Sequence, residues 1–252
     1  MSPAIARGGQ IPLDLRLRDS SRFVGYHPGG NALARDAVEA LSAGGEGGER
    51  QILLHGQPGV GKTHLLQAAC HRGHERGDPV AYLPLGALTG AVPDAVLDGL
   101  ERAPLVALDD LDAVLGQPAW EEALFGLLNR LRDAHCRVLL AALHAPEGLP
   151  ARLPDLASRL AWGPVFRLQP PDEAALKSIL AQRAAWRGLE LPDVVAEYLL
   201  RHYRRDLGAL LELLDRLDLA ALAEQRRLTV PFVREQLARA GPGRGTDSEG
   251  AD

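Results

Sequence analysis

GQPGVGKT, residues 56–63, stands between an apolar run, QILLH (51–55), and a helix-forming run, HLLQAACHRG (64–73). Its eight residues hold three glycines and close on Lys-Thr. The pattern G-x-x-x-x-G-K-[ST] is complete, and it follows an expected strand and opens an expected helix, the context this motif requires. The glycines let the backbone bend so that its N–H groups point inward, and the helix N-terminus adds the positive end of its dipole. The loop is therefore expected to cradle phosphates. Gly56, Pro58, Gly59, Val60, Gly61, Lys62, Thr63 and His64 are its nucleotide-binding candidates. Lys62 is placed to reach the terminal phosphates, and the Thr63 hydroxyl to ligate Mg²⁺.

Outward from this loop, strands and helices alternate. PVAYLPL (79–85), APLVALDDL (103–111), RVLLAAL (137–143) and GPVFRLQ (163–169) read as further strands, and PAWEEALFGLLNRLRDAH (118–135) as an amphipathic helix with Pro118 near its start. The first helix is expected to run to Gly77, and SAGGEGGE (42–49) is too glycine-rich for a regular element. Apolar strands alternating with helices predict an α/β fold, a central parallel sheet covered on both faces. After QPPDE (169–173) the pattern becomes helical only, over about 172–187, 192–203, 206–225 and 231–240. The expected organisation is an extended segment over 1–20, a nucleotide-binding domain over 21–170, a helical domain over 171–240 and a disordered tail over 241–252.

The bulk numbers exclude several classes. The chain has 252 residues, 46% hydrophobic and 24% charged, with a net charge of −5, which argues against a broad nucleic-acid-coating surface. No apolar run approaches the roughly 18 residues that span a bilayer, and no secretory pattern opens the chain, so a cytoplasmic protein without membrane contact is expected. Cys70 and Cys136 are too few for a disulfide framework and are expected to be reduced thiols.

A phosphate loop of this kind needs an acid at the end of a neighbouring strand. LVALDD offers two: Asp109 to hold Mg²⁺, usually through water, and Asp110 to orient an attacking water.

The phosphate loop followed by HLLQAAC, then LVALDDLDAV, then LPDLASRL (153–160) resembles the P-loop AAA+ domain of the bacterial initiator DnaA. WEEALFGLLNRL, LPDLASRLAWG and LTVPFVREQL make it more similar still to the DnaA regulatory inactivator (Hda) family, over roughly residues 10–240. The resemblance implies an AAA+ domain with a small helical lid and bound ADP or ATP with Mg²⁺. Arg159 matches the family's arginine finger, which acts on the nucleotide of a neighbouring protein. A surface ion pair with Asp155, one turn earlier, is the alternative use of that arginine. FVGYHPGGNALA (23–34) resembles the segment that wraps the adenine, with Phe23 or Val24 packing the base and Asn31 starting the next helix. Asn31 also suits a plain N-cap. QIPLDL (10–15) looks like the family's clamp-binding peptide, with Gln10, Leu13 and Leu15 on the matching positions. As an extended segment it would seat two leucines in one groove of the sliding clamp, the beta subunit of DNA polymerase III.

Other family features are weakened. The fourth strand of the fold usually ends in a polar residue that senses the γ-phosphate. Here Ala141, Ala142 and Leu143 hold that place and His144 follows. The lid position of a nucleotide-touching arginine is Gly208, just after Arg204 and Arg205. The chain closes on a lid and polar tail where the initiator continues into a DNA-binding domain. Together these features lead to the expectation of a weak intrinsic ATPase that docks on the clamp and stimulates ATP hydrolysis by DnaA, so repressing initiation. The basic runs RHYRRD (201–206) and EQRR (224–227) are mostly a solvated helix face, with a weak DNA contact beside the clamp as the minority reading, and self-association is left open. The competing function is a self-sufficient AAA+ ATPase such as a DnaC-type helicase loader.

Overall fold

The computed structural model describes residues 17, 21–45, 48–203 and 207–240. Gln10, Leu13, Leu15, Arg204, Arg205 and the 241–252 tail lie outside them. The chain divides into two compact units, Met1–Pro170 and Pro171–Asp252.

The first unit is built from α1 (Ala32–Ala43), β1 (Gln51–His55), α2 (Lys62–Glu75), β2 (Val80–Pro84), α3 (Pro93–Leu97), β3 (Leu105–Asp109), α4 (Pro118–Asp133), β4 (Arg137–Ala142), α5 (Pro154–Leu160) and β5 (Val165–Arg167). All five strands run parallel in the order β2-β3-β4-β1-β5. The apolar runs are continuous because the sheet is buried on both faces, successive side chains going to opposite sides. Leu53, Val106, Leu108, Val138 and Leu140 face α3, α4 and α5. Ile52, Leu54, Ala107, Leu139 and Ala141 face α1 and α2. Pro84 is tolerated because β2 is an edge strand, where a missing ladder donor costs little. Helix α2 stops at Glu75, two residues short of Gly77, whose φ of +80° cannot continue a helix.

The second unit holds α6 (Glu173–Trp186), α7 (Asp193–His202), α8 (Leu207–Glu224) and α9 (Val230–Ala240). Asp172 caps α6, its Oδ1 accepting from Ala175 N at 2.8 Å. Leu210, Leu213, Leu214, Leu217 and Ala221 repeat at helical spacing on α8 and pack with Leu176, Leu180, Leu199 and Phe232 into one core. Among the described residues no helix is long and apolar enough to cross a membrane. Cys70 and Cys136 are buried and free, and burial pushes the Cys70 thiol up to about 12.

Helix α5 has only seven residues and is held at both ends by side chains from elsewhere. At its start, the Glu121 carboxylate on α4 accepts from Arg152 N (2.9 and 3.0 Å) and Leu153 N (2.8 Å), and also from Gly116 N at 2.7 Å. At its end, Gln51 Nε2 at the head of β1 donates to the carbonyls of Arg159 (2.8 Å) and Leu160 (3.1 Å). Both devices satisfy backbone groups that a short helix leaves orphaned. Gly163 lets the chain turn back from α5 into β5 against β1, since a Cβ there would fall on the Gln51 carbonyl.

Glu121 is 2% exposed. Burial opposes its ionisation, but the backbone donors of Arg152, Gly116 and Leu153 outweigh that and hold the carboxyl below its usual range. Its contribution is therefore complete above the unfolded carboxyl's range and is lost as pH falls through the lower folded value. Glu121→Ala is expected to cost about 3 kcal/mol in urea unfolding at pH 7, because three backbone N–H groups lose their buried acceptor. Glu121→Gln should lose less stability than wild type on acidification, and an equal acid slope would contradict this account of the carboxylate.

Candidate nucleotide site

The loop between β1 and α2 turns on glycines at left-handed φ: +146° at Gly56, +80° at Gly59 and +103° at Gly61. A Cβ on Gly56 would come within 2.8 Å of Leu168 O, and one on Gly61 within 2.8 Å of the Tyr26 ring. The loop is thus closed from behind by the end of β5 and by Tyr26, while Gln57, Pro58 and Gly59 are exposed at its mouth. Val60 anchors it, buried in the core with Leu65 and Leu66. Thr63 lies half-buried in the first turn of α2.

Lys62 is 7% exposed, and its Nζ donates to Gly56 O (2.6 Å) and Gln57 O (3.0 Å). Burial lowers its pKa, against the pull of Asp109, Asp110 and Asp112. An ammonium held by a loop of left-handed backbone, with three carboxylates acting on its charge, fits a magnesium–polyphosphate, in which the cation would meet the phosphates and the acids the metal.

Parallel register brings the acids to the same edge as the loop. Asp109 ends β3 at 1% exposure, and its carboxylate is fixed by two donors, the Tyr82 hydroxyl (2.9 Å) and Asp110 N (3.0 Å). Burial, and then the Asp109 charge, push the Tyr82 phenol up. Asp110 is exposed in a left-handed conformation with φ 56°. Burial and the charges of Asp109 and Asp112 raise its carboxyl pKa, while Lys62 opposes them. Tyr82 was not singled out from sequence. Its contact with Asp109 depends on the pairing register, which sets it opposite Ala107, two residues before Asp109 and so on the same face.

The segment before α1 lies against α2. Phe23 and Val24 share a short 3₁₀ turn but point apart. Phe23 packs inward with Arg72 5.9 Å from its ring centre, and Val24 is 84% exposed. His64 Nε2 donates to Arg22 O at 2.9 Å, its ring 5.5 Å from that of Tyr26, and burial lowers its pKa. Asn31 precedes α1 but does not cap it with its side chain. Its amide instead brackets Gln169, donating to the carbonyl (2.9 Å) and accepting from the N–H (2.7 Å). That exchange satisfies both ends of the amide at once, which a cap would not.

Arg159 lies elsewhere. Its Nε donates to Asn129 Oδ1 at 3.0 Å, and its guanidinium lies 4.2 Å from the Trp162 ring centre and 5.4 Å from that of Phe125. Arg132 also lies over Trp162, at 4.1 Å. No ion pair joins Arg159 to Asp155 among the described residues; the side chain goes to Asn129 instead, so the helix-turn pairing open in the sequence is not used.

A parallel sheet in this strand order, with a phosphate loop after β1, an acid after β3 and a separate four-helix unit, defines a P-loop protein of the AAA+ class. A family model described as the bacterial DnaA ATPase domain matches residues 21–167, and one described as the Hda lid domain matches residues 172–237. The chain belongs to the bacterial DnaA ATPase domain family and carries an Hda-type lid. Domain III of the Thermotoga maritima replication initiation protein DnaA shares the fold at a TM-score of 0.78 and 22% identity, over 88% of this chain and 97% of that one. AMPPCP-bound DnaA from Aquifex aeolicus matches at 0.67 and 26% identity, over 81% of this chain and 67% of that one. The Thermotoga maritima RuvB Holliday junction branch migration motor shares the fold at 0.66 and 22% identity, over 88% and 72%.

The cradle depends on the absence of a side chain at Gly61. Gly61→Ala is expected to lower stability by ~1–3 kcal/mol in thermal or urea unfolding, from the forced left-handed backbone and the Tyr26 contact. A neutral substitution would show that the loop has another low-energy path.

Proposed function

We propose that this protein is a nucleotide-bound regulator of replication initiation, which docks on the DNA sliding clamp and supplies Arg159 to the ATP site of the initiator DnaA. The observation that carries the reading is the position of Arg159 along β1. Its carbonyl is tied to Gln51 at the head of that strand, whereas the phosphate loop starts at Gly56, beyond its other end. Five residues of strand span about 16 Å, too far for this guanidinium to reach the chain's own phosphates. An arginine so placed serves a nucleotide held by another molecule. With Nε on Asn129 and one face toward Trp162, the guanidinium is oriented before it meets a partner, and nothing else among the described residues accepts from it. An ordered finger loses little freedom when it engages.

For the chain's own site, the lysine-centred cradle supports ADP or ATP with Mg²⁺, and the AMPPCP-bound Aquifex relative supports an adenine nucleotide. The backbone N–H groups of 56–63 and Lys62 would hold the phosphates. Thr63 and Asp109 would hold the metal, Asp110 would orient water, and Val24, the exposed member of its turn, would meet the base with Phe23 behind it. The bound magnesium–nucleotide would supply a polarised phosphoryl group. Ala141 and Ala142 close β4 fully buried and offer that group no side-chain donor, which supports slow turnover at this site. Gln10, Leu13 and Leu15 are the proposed clamp anchors. Two buried leucines and a few hydrogen bonds correspond to micromolar affinity at best, about 8 kcal/mol.

Arg159→Ala is expected to bind nucleotide like wild type but to lose stimulation of initiator ATP hydrolysis by about 10³-fold or more. Undiminished stimulation would overturn the assignment. Capture by immobilised clamp should fall at least tenfold when Gln10, Leu13 and Leu15 are replaced together by alanine, and undiminished capture would remove the peptide from the account.

A further inference from the structure

The proposed clamp peptide, residues 10–15, ends two residues before Leu17. Leu17 is not part of the six-residue motif, yet it is half-buried. It packs against the core layer that α1 and α2 form on one face of the sheet, and Phe23 and Tyr26 pack at the margin of the same core. The chain beyond is held to α2 and the phosphate loop at several points. The Arg22 carbonyl accepts from His64 Nε2 at 2.9 Å, the Arg22 guanidinium pairs with Glu75, the Phe23 ring meets Arg72, and the Tyr26 ring lies against Gly61. The peptide is therefore joined to the nucleotide-binding unit at a seated residue. Two residues of chain span at most about 7 Å, so the Leu15 Cα lies within that distance of the Leu17 Cα in any conformation. Helix α5, which carries Arg159, packs through Leu156 and Leu160 on the opposite face of the sheet. The sheet thus stands between the root of the peptide and the arginine.

We infer that Leu17 is the root that fixes how this chain is oriented on the clamp, holding the clamp on the α1–α2 side and leaving α5 open to the initiator. On a long flexible tether the clamp would be free to lie over either face of the sheet, and the effective concentration of Arg159 at the initiator would fall with every orientation sampled. A peptide rooted two residues from its last anchor removes most of that freedom before the initiator arrives, so the arginine is presented in one direction. Leu17 is a positioning residue: Gln10, Leu13 and Leu15 make the contact, and Leu17 sets its geometry. The inference rests on the reading of residues 10–15 as the clamp peptide and adds how that peptide is mounted.

The test measures energy transfer in single complexes, from a donor dye on the full chain to an acceptor dye on DNA-loaded clamp. The donor is attached through Leu33→Cys, an exposed position on α1, since Cys70 and Cys136 are buried. The chain otherwise unchanged should give one narrow distribution of transfer efficiency. Ten Gly/Ser residues inserted between Leu15 and Arg16 make a spacer with an r.m.s. length of about 17 Å. The insertion keeps every native side chain and should leave clamp capture within about twofold, while it broadens the distribution and lowers stimulation of initiator ATP hydrolysis at saturating clamp by about fivefold or more. Leu17→Ala should broaden the distribution as the insertion does. If the chain without the insertion is not captured by the clamp, the peptide reading fails and this inference with it. If it is captured, but its distribution is already broad, or the insertion alters neither the distribution nor the stimulation, the peptide reading stands and the inference about Leu17 is overturned.

Discussion

Five parallel strands must all end at one edge of their sheet, and that constraint governs everything chemical in this molecule. It brings the glycine loop after β1, the buried Asp109 that ends β3 and His144 after β4 to a common rim, where Asp112 from the turn after β3 meets His144. The same constraint sends the strand starts to the opposite rim, where Gln51 holds the end of α5 and with it Arg159. One sheet thus holds the phosphate loop and Arg159 at separate rims. The phosphate loop and Arg159 lie at opposite ends of β1, which is why we propose that the arginine acts on a partner.

The helix that carries Arg159 is too short to hold itself. Seven residues form few internal hydrogen bonds, and an isolated helix of that length is not stable in water. Glu121 and Gln51 replace the missing turns at its two ends, and the Asn129 amide and the rings of Phe125 and Trp162 fix the guanidinium. Glu121, Phe125 and Asn129 are spaced by four along α4 and so share one face of it. One helix face serves as the template for the whole element.

Much of the fold was legible in the sequence. The strands were visible because both faces of the sheet are buried, which makes QILLH and LVALD continuous apolar runs. The phosphate loop was visible because its chemistry needs glycine at fixed places. What sequence did not yield were side-chain contacts between segments far apart along the chain. Glu121 reads as a surface acid on an amphipathic helix until the chain 31 residues later folds over it. Asn31 reads as a cap and instead brackets Gln169 across 138 residues. The Asp155–Arg159 spacing suits a helical ion pair, yet the arginine gains more from a planar indole and an amide acceptor than from an exposed carboxylate worth about 0–1 kcal/mol. Local spacing proposes such contacts, and tertiary packing chooses among them.

The division of labour between the two rims is most directly tested by following one labelled phosphate. Initiator preloaded with γ-labelled ATP is mixed with clamp loaded on DNA and with this protein carrying unlabelled ADP, in a single turnover. The account predicts rapid release of label from the initiator while the ADP on this chain stays bound and unchanged. Release that requires this chain to hold and hydrolyse its own ATP would contradict it.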